Sequence, residues 1–241
     1  MRKANSASAA ETLHNKVALI TGATRGIGLA IAQALSREGV QVIITGRDEK
    51  RLKKVGSFAS MAVPCDVRDA NAVRSLFASI KRRFRRLDIL INNAGIGHPN
   101  LTTDKLPIDT FRNVIETNLT GMFVVTHHAL PLMRRGGIIV NNLSIAAKRV
   151  FPGSSAYNAS KHGALGFTNT LREELRERGI RVVALLPGAT DTAIWKTLWP
   201  DAPRKKMLSV ETVASAVVNA LTLPANSTVE ELVITPAAGA L

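Results

Sequence analysis

The sequence holds one tyrosine in 241 residues, Tyr157, and Lys161 stands four positions beyond it. If 155–178 is a helix, four steps turn about 400° and the two side chains share a face. A lysine ammonium near a phenol favours the phenolate and lowers the tyrosine pKa from its reference near 10. A phenol tuned toward neutral pH gives or takes a proton during a reaction. Ser144 follows the apolar run Gly137 to Leu143, where its hydroxyl can meet the same reacting oxygen. A tyrosine packed by its ring beside a solvated lysine has the same spacing, so the pair gains meaning only from the rest of the chain.

The elements that must place these side chains alternate strand and helix. Lys16 to Thr21 is a short apolar run, the mark of a strand buried on both faces. It enters Gly22-Ala23-Thr24-Arg25-Gly26-Ile27-Gly28, and Leu29 to Leu35 continues with helical periodicity. Glycines let the backbone approach a pyrophosphate, and the helix N-terminus offers free N–H groups and the positive end of its dipole. The spacing is G-x-x-x-G-x-G rather than G-x-G-x-x-G; a tight turn with nothing bound is the alternative. Gln41 to Thr45 is the second strand and runs into Gly46-Arg47-Asp48. An acidic residue there would bond the ribose 2′-hydroxyl of NAD, whereas a guanidinium suits the 2′-phosphate of NADP. Arg25 can reach the same phosphate, so the two arginines favour NADP(H), although a surface charge at a strand end looks alike.

Ser60 to Val67 reads as the third strand. Asp66 at its end can accept from an adenine amino group or cap the next helix, 69–85. Leu87 to Ile91 is the fourth strand, followed by Asn92-Asn93-Ala94-Gly95. A long helix over 110–134 carries Asn118 between Thr117 and Leu119, close to Gly121, a local rule-break of the kind that gathers at functional sites. The fifth strand is 138–143, the sixth is 181–186 and ends in Pro187-Gly188, a helix covers 210–222, and Glu231 to Thr235 is the last strand. The alternation predicts a single α/β domain over 15–241, one parallel sheet with helices on both faces, preceded by a loose arm over 1–14.

A hydrophobic content of 46% with 17 glycines is that of a globular chain. No apolar run reaches the length of a membrane span, and the basic start lacks the apolar stretch of a secretory signal. The single Cys65 excludes an internal disulfide and fits a reducing cytoplasm. The formal net charge is +14, densest over Lys81 to Arg86 and again over Arg204 to Lys206. Such a field attracts polyanions, an acidic carrier protein or a phosphate-rich cofactor. With one Tyr, two Trp and seven Phe, none interleaved with the basic runs, dedicated nucleic-acid binding is not expected.

Taken together, these residues make the chain closely resemble the short-chain dehydrogenase/reductase superfamily. The resemblance covers about 15–241 and rests on Thr21-Gly22-x-x-x-Gly26-Ile27-Gly28, Asn92-Asn93-Ala94-Gly95, Asn118, Ser144, Tyr157-x-x-x-Lys161 and Pro187-Gly188-x-x-x-Thr192, in family order. It implies a doubly wound, seven-stranded Rossmann sheet. It implies that Tyr157 is the general acid toward a ketone and the general base toward an alcohol. Ser144 would bond the substrate oxygen, and Lys161 would hold the nicotinamide ribose and depress the Tyr157 pKa. Asn118 would hold a water linking Lys161 to solvent. Gly22, Thr24, Arg25, Gly26, Ile27, Gly28 and Arg47 would take the phosphates, and Asp66 and Val67 the adenine. Asn93, Ala94 and Gly95 would pack beside the adenosine ribose, and Pro187, Gly188, Thr190 and Thr192 would frame the nicotinamide. The family usually has an aliphatic residue where Thr190 stands. Its 3-oxoacyl-carrier reductases usually end the last strand in a Gly-Gly turn, which is absent from Pro236-Ala237-Ala238-Gly239.

Three functions compete at this level: an NADPH-dependent reductase of a ketone or aldehyde (or the reverse alcohol oxidation), a 3-oxoacyl-carrier reductase, and a catalytically silent binding protein. The substrate pocket is expected from Ile145 to Phe151, Ile96 to Leu101 and Ala193 to Met207. The last segment brings Trp195 and Trp199, either over an apolar substrate or turned inward as ordinary core. A homo-oligomer, tetramer or dimer, is expected through the helices near 110–134 and 155–178, whose small residues permit close approach or merely make room for Tyr157.

Overall fold

The computed structural model describes residues 13–239. Seven strands form one parallel sheet: β1 (Val17–Ile20), β2 (Gln41–Gly46), β3 (Met61–Pro64), β4 (Ile89–Asn92), β5 (Ile138–Asn142), β6 (Arg181–Pro187) and β7 (Glu231–Ile234), in the order β3-β2-β1-β4-β5-β6-β7. The helices are α1 (Gly26–Arg37), α2 (Glu49–Val55), α3 (Ala70–Phe84), α4 (Ile108–Ile115), α5 (Gly121–Ala129), α6 (Ser155–Arg176), α7 (Trp195–Leu198) and α8 (Val210–Leu221).

The central strands are mostly apolar because both faces are covered, and the alternation of the pleat sorts their side chains. Ala18, Ile20, Val42, Ile44, Ile89 and Ile91 pack with Ile31 and Leu35 of α1 and with Val213 and Val217 of α8. The intervening Val17, Leu19, Ile43 and Leu90 pack on the other face with Leu76 and Ile80 of α3, Val125 of α5 and Leu171 and Leu175 of α6. Residues 1–12 of the expected arm lie outside the described residues. Its end is not loose: Leu13 is buried in the first of these cores, so the packed chain begins earlier than expected.

Successive strands lie on one side of β1 and then, from β4 onward, on the other. This reversal opens a crevice at the carboxyl ends of β1 and β4, where such sheets bind ligands. Across the β4–β5 boundary, Asn92 Nδ2 donates to Asn141 Oδ1 (2.8 Å) and Thr126 Oγ1 (2.9 Å), and Asn141 Nδ2 donates to Thr168 Oγ1 (2.9 Å). These fully buried bonds tie α5 and α6 to the sheet just below the crevice.

The helix expected over 110–134 is three pieces. Between α4 and α5, Glu116–Thr120 forms a π turn, an insertion that is rare and gathers at functional sites. A short 3₁₀ turn over Leu130–Leu132, with Pro131 in it, ends the run before 134.

Candidate active site

Glycines build the floor of the crevice. Gly22 has φ +64, and a Cβ there would lie 2.8 Å from the Ala94 backbone. At Gly28 a Cβ would lie 2.2 Å from Asn93 Nδ2. That amide donates to the carbonyls of Thr21 (2.9 Å) and Gly22 (3.1 Å), while Thr21 Oγ1 accepts from the N–H groups of Asn93 and Ala94, both at 3.0 Å. The two glycine-containing turns are therefore one unit. Above it, α1 begins with no side-chain cap from Arg25 and no acidic residue in its first turn. Its first N–H groups and positive dipole end stay available to an anion.

One cavity of about 1110 Å³ is lined by Gly22, Thr24, Arg25, Gly26, Ile27, Arg47, Asp66, Val67, Asn93, Ala94, Gly95, Ser144, Tyr157, Lys161, Pro187, Gly188, Thr190 and Thr192. The structure thus brings together all but two of the expected site residues. Gly28 lies beneath the floor, where its lack of a side chain admits Asn93. Asn118 lies behind the wall: its Oδ1 accepts from Ile96 N–H (2.8 Å), and its Nδ2 donates to Ile96 C=O (2.9 Å) and Ser160 Oγ (3.0 Å). Both polar atoms of the carboxamide are engaged, and they hold the Ile96 wall. The π turn aims it there. Thr190 satisfies its hydroxyl on Gly188 C=O (3.0 Å), which accommodates the departure from an aliphatic residue.

At the end formed by the carboxyl ends of β1 to β3, Arg25 and Arg47 are exposed. Asp66 is held by Arg68, which donates to its two oxygens through Nε (3.0 and 3.1 Å) and Nη2 (2.6 Å). Arg47 Nη1 lies 4.0 Å away. The Arg68 bond, ahead of the Arg47 charge, holds the Asp66 carboxyl below its ordinary value. Arg68 also donates to Asn113 Oδ1 (2.6 Å). No spacing rule in the sequence pointed to it.

At the other end, Lys161 Nζ donates to Asn142 C=O (3.0 Å) and lies 5.6 Å from the centroid of the Tyr157 ring. Burial pushes the lysine from its ordinary 10.5 down to about 8. Burial also raises the Tyr157 phenol, and the Ser144 hydroxyl beside it offsets part of that rise. The expected lowering of the phenol by Lys161 is therefore not what dominates this site; desolvation does. Ser144 Oγ also accepts from Ala146 N–H (3.1 Å), which fixes the hydroxyl at the head of a short turn, Ile145–Ala147. A further residue is His98, buried at 1% exposure. Its Nδ1 faces Pro99 C=O (2.7 Å) and its Nε2 accepts from the Tyr157 backbone N–H (3.4 Å). Ser154 supplies no side-chain cap to α6, so the imidazole serves one of the orphan N–H groups at the start of that helix.

The buried amine makes a prediction about stability. The fall from 10.5 to about 8 corresponds to roughly 3 kcal/mol of folding stability forgone while the group is charged, at about 1.4 kcal/mol per pH unit. Lys161→Met removes that cost but leaves the Asn142 carbonyl unpaired, about 1 kcal/mol the other way. We expect the variant to melt roughly 5 °C higher at pH 7. The unfolded chain holds the proton up to 10.5 and the folded chain only to about 8. Wild-type stability therefore climbs between those values and the advantage of the variant shrinks. Thermal melts from pH 7 to 10 check this.

A family model described as short chain dehydrogenase matches residues 16–203. The chain belongs to the short-chain dehydrogenase family. Among similar proteins, it is 38% identical to a 3β-hydroxysteroid dehydrogenase of Mediterraneibacter gnavus, over 74% of this chain and 67% of that one. It is 40% identical to a putative ketoacyl reductase of Streptomyces coelicolor, over 75% and 73% of the two chains. A short-chain dehydrogenase from Burkholderia cenocepacia, crystallised with NADP, superposes with a TM-score of 0.84 at 32% identity, over 93% of this chain and 98% of that one.

In this short-chain dehydrogenase a lid closes the substrate side. Leu208 N–H donates to Ala189 C=O (2.9 Å) and Asp191 N–H to Leu208 C=O (2.8 Å), so both ends of the segment are fastened together. Trp195 Nε1 donates to Thr190 C=O (2.8 Å). Leu198 presses on Gly97, where a Cβ would lie 2.7 Å from Leu198 Cδ2. Both tryptophans line the cavity, and Trp199 is 45% exposed. The alternative of rings turned inward as core is excluded.

Proposed function

We propose that the protein is an NADP(H)-dependent oxidoreductase that moves a hydride between the nicotinamide and a ketone, an aldehyde or a secondary alcohol. The observation that carries this is a single cavity with a glycine cradle and two arginines at one end and Ser144, Tyr157 and Lys161 at the other. The cradle suits a dinucleotide because a Cβ at Gly22 or Gly28 would collide with the floor. Arg25 and Arg47 suit a 2′-phosphate.

When bound, the nicotinamide supplies or accepts the hydride. Ser144 bonds the carbonyl oxygen and fixes its direction. As the carbonyl carbon gains the hydride, the C=O electron pair moves to oxygen and Tyr157 gives that oxygen its proton. Lys161 then faces a phenolate, which its ammonium stabilises and helps to reprotonate. Alcohol oxidation runs the same transfers backward. The phenol, raised above its ordinary value by burial, keeps its proton and is set to act as an acid. A positive charge beside it favours the phenolate that alcohol oxidation needs, and the nicotinamide of NADP⁺ would carry one.

NADPH oxidation against a panel of ketones tests the proposal, and failure on every member while NADPH binds would favour a silent binding protein. The second enzymatic reading is 3-oxoacyl-carrier reduction. It draws on the net charge of +14 and the ketoacyl-reductase relative, and turnover of a carrier-bound acyl substrate far above free ketones would select it.

We also propose a homo-oligomer, tetramer or dimer, and a cytoplasmic location. No helix among the described residues is long and apolar enough to cross a membrane. Ile108 is 69% and Phe123 52% exposed on α4 and α5. On α6, Ala156, Ser160 and Ala164 are buried, and at Gly163 a Cβ would lie 2.9 Å from Leu119 Cδ2, so these serve the interior. Ala159 and Gly166 are exposed and leave room for a neighbour. Light scattering at moderate salt is expected to give a multiple of the 25.8 kDa chain mass; a single-chain mass at micromolar concentration would rule this out. The charge opposes association as salt is lowered, because screening weakens.

A further inference from the structure

The cavity is chemically divided, and the division bears on what the proposed oxidoreductase acts on; the inference rests on that reading. Its charged lining side chains are Arg25, Arg47, Asp48, Arg51, Asp66 and Lys161. The first five stand at the carboxyl ends of β1 to β3, the adenosine end. Lys161 is behind Tyr157 with its amine on Asn142 C=O. The end that holds the Ser144 and Tyr157 hydroxyls is lined mainly by Ile96, Ile145, Phe151, Ile194, Leu198 and Trp199, with the uncharged Asn100, Ser154 and Thr197 among them and no charged side chain.

A carboxylate, phosphate or ammonium carried into this end would leave water and meet no counter-ion. Burial of an unpaired charge costs several kcal/mol. Lys148 pairs with Glu231 and Arg204 with Asp191, and of the Lys and Arg side chains near this end only Lys161 lines the cavity among the described residues. The hydroxyls of Ser144 and Tyr157 therefore have a carbonyl or alcohol oxygen to expect, on an uncharged molecule whose remaining surface meets mostly apolar side chains. Trp199 adds a shape. It follows α7 with its N–H on Trp195 C=O (3.0 Å), at 45% exposure, and presents an indole to both solvent and cavity. A flat ligand that covers it removes a large apolar area from water.

The geometry points to a neutral, ringed, mostly apolar ketone as the substrate class, with Trp199 as a specificity-determining residue at the mouth. The lid contributes recognition and the strand ends contribute chemistry.

The test uses the full chain. Both tryptophans line the cavity and are the only ones in the sequence, so protein fluorescence reports NADPH binding first, without turnover. Then 1-tetralone is compared with a ring-carboxylated tetralone of nearly the same size. We expect kcat/KM for the neutral ketone to exceed that for the carboxylate by at least about 10²-fold. Trp199→Ala should raise KM for tetralone by about 10-fold, well beyond any change in the KM for butanone, with NADPH still bound. Trp199→Phe should recover most of the loss. Equal turnover of the carboxylated ketone, or a Trp199→Ala variant that treats tetralone as wild type does, overturns the inference. If NADPH binds and neither tetralone nor its alcohol binds or reacts, the inference fails while the cofactor reading stands. If NADPH does not bind, both fall together.

Discussion

Tyr157→Phe is expected to lower kcat by at least about 10²-fold, the scale of a general acid or base, with NADPH affinity and melting temperature nearly unchanged. The ring stays, and with it the approach of the Lys161 amine to its face. What goes is one hydroxyl in a site that contains no second proton donor placed like it. Ser144 is fixed at the head of its turn by Ala146 N–H, and Lys161 is engaged by Asn142 C=O. Neither reaches the substrate oxygen with a transferable proton in the same way. Stopped-flow or steady-state kinetics with a saturating ketone would show the loss in kcat rather than in KM. Turnover within a few-fold of wild type would remove Tyr157 from the mechanism.

Arg47→Asp is expected to reverse the choice of cofactor, and the two halves of the change should differ in size. Loss of a charged hydrogen-bond partner and gain of a repulsive carboxylate should reduce kcat/KM for NADPH by about 10²-fold or more, since a bond to a charged group is worth about 1.5–3 kcal/mol before repulsion is counted. The gain with NADH should be smaller. Arg47 lies 4.0 Å from Asp66, so a carboxylate in its place faces a second carboxylate. Arg68, already on both Asp66 oxygens, can cover only part of that repulsion. Adding Asp66→Asn to the variant should improve NADH use further. Measured kcat/KM for both cofactors decides it, and a wild type that already prefers NADH would overturn the argument from Arg25 and Arg47.

The parts of this molecule that could be read from sequence are those where only one residue type satisfies the physics. Gly22 needs a positive φ beside the Ala94 backbone, and Gly28 must admit Asn93; no side chain fits either place. Strands covered on both faces must be apolar over most of their length, so β1, β2 and β4 to β6 were placed within one or two residues. The π turn at Asn118 left only the faint mark of a polar residue in a helix, because one extra residue in a turn changes no composition. Arg68 on Asp66 is an ordinary surface pair until the fold is known. His98 meets Tyr157 across 59 positions, a distance over which no local pattern carries information. The phenol pKa was misjudged because spacing shows a neighbouring charge but not the loss of water.

The fastened ends of the lid have a consequence for how this enzyme can change. Ala189, Asp191 and Leu208 share a small ladder of backbone bonds, and Thr192 touches Gly26, so the chain leaves and re-enters the cradle at nearly one point. The stretch 193–207 is a closed excursion. Lengthening it costs little, about 0.6 kcal/mol for each doubling of loop length, and none of the cradle's own bonds must break. Selection, natural or in the laboratory, can therefore rewrite the lid as a cassette while the proton and hydride machinery stays untouched. New specificities should come first from libraries confined to those fifteen positions, at small expense in foldability.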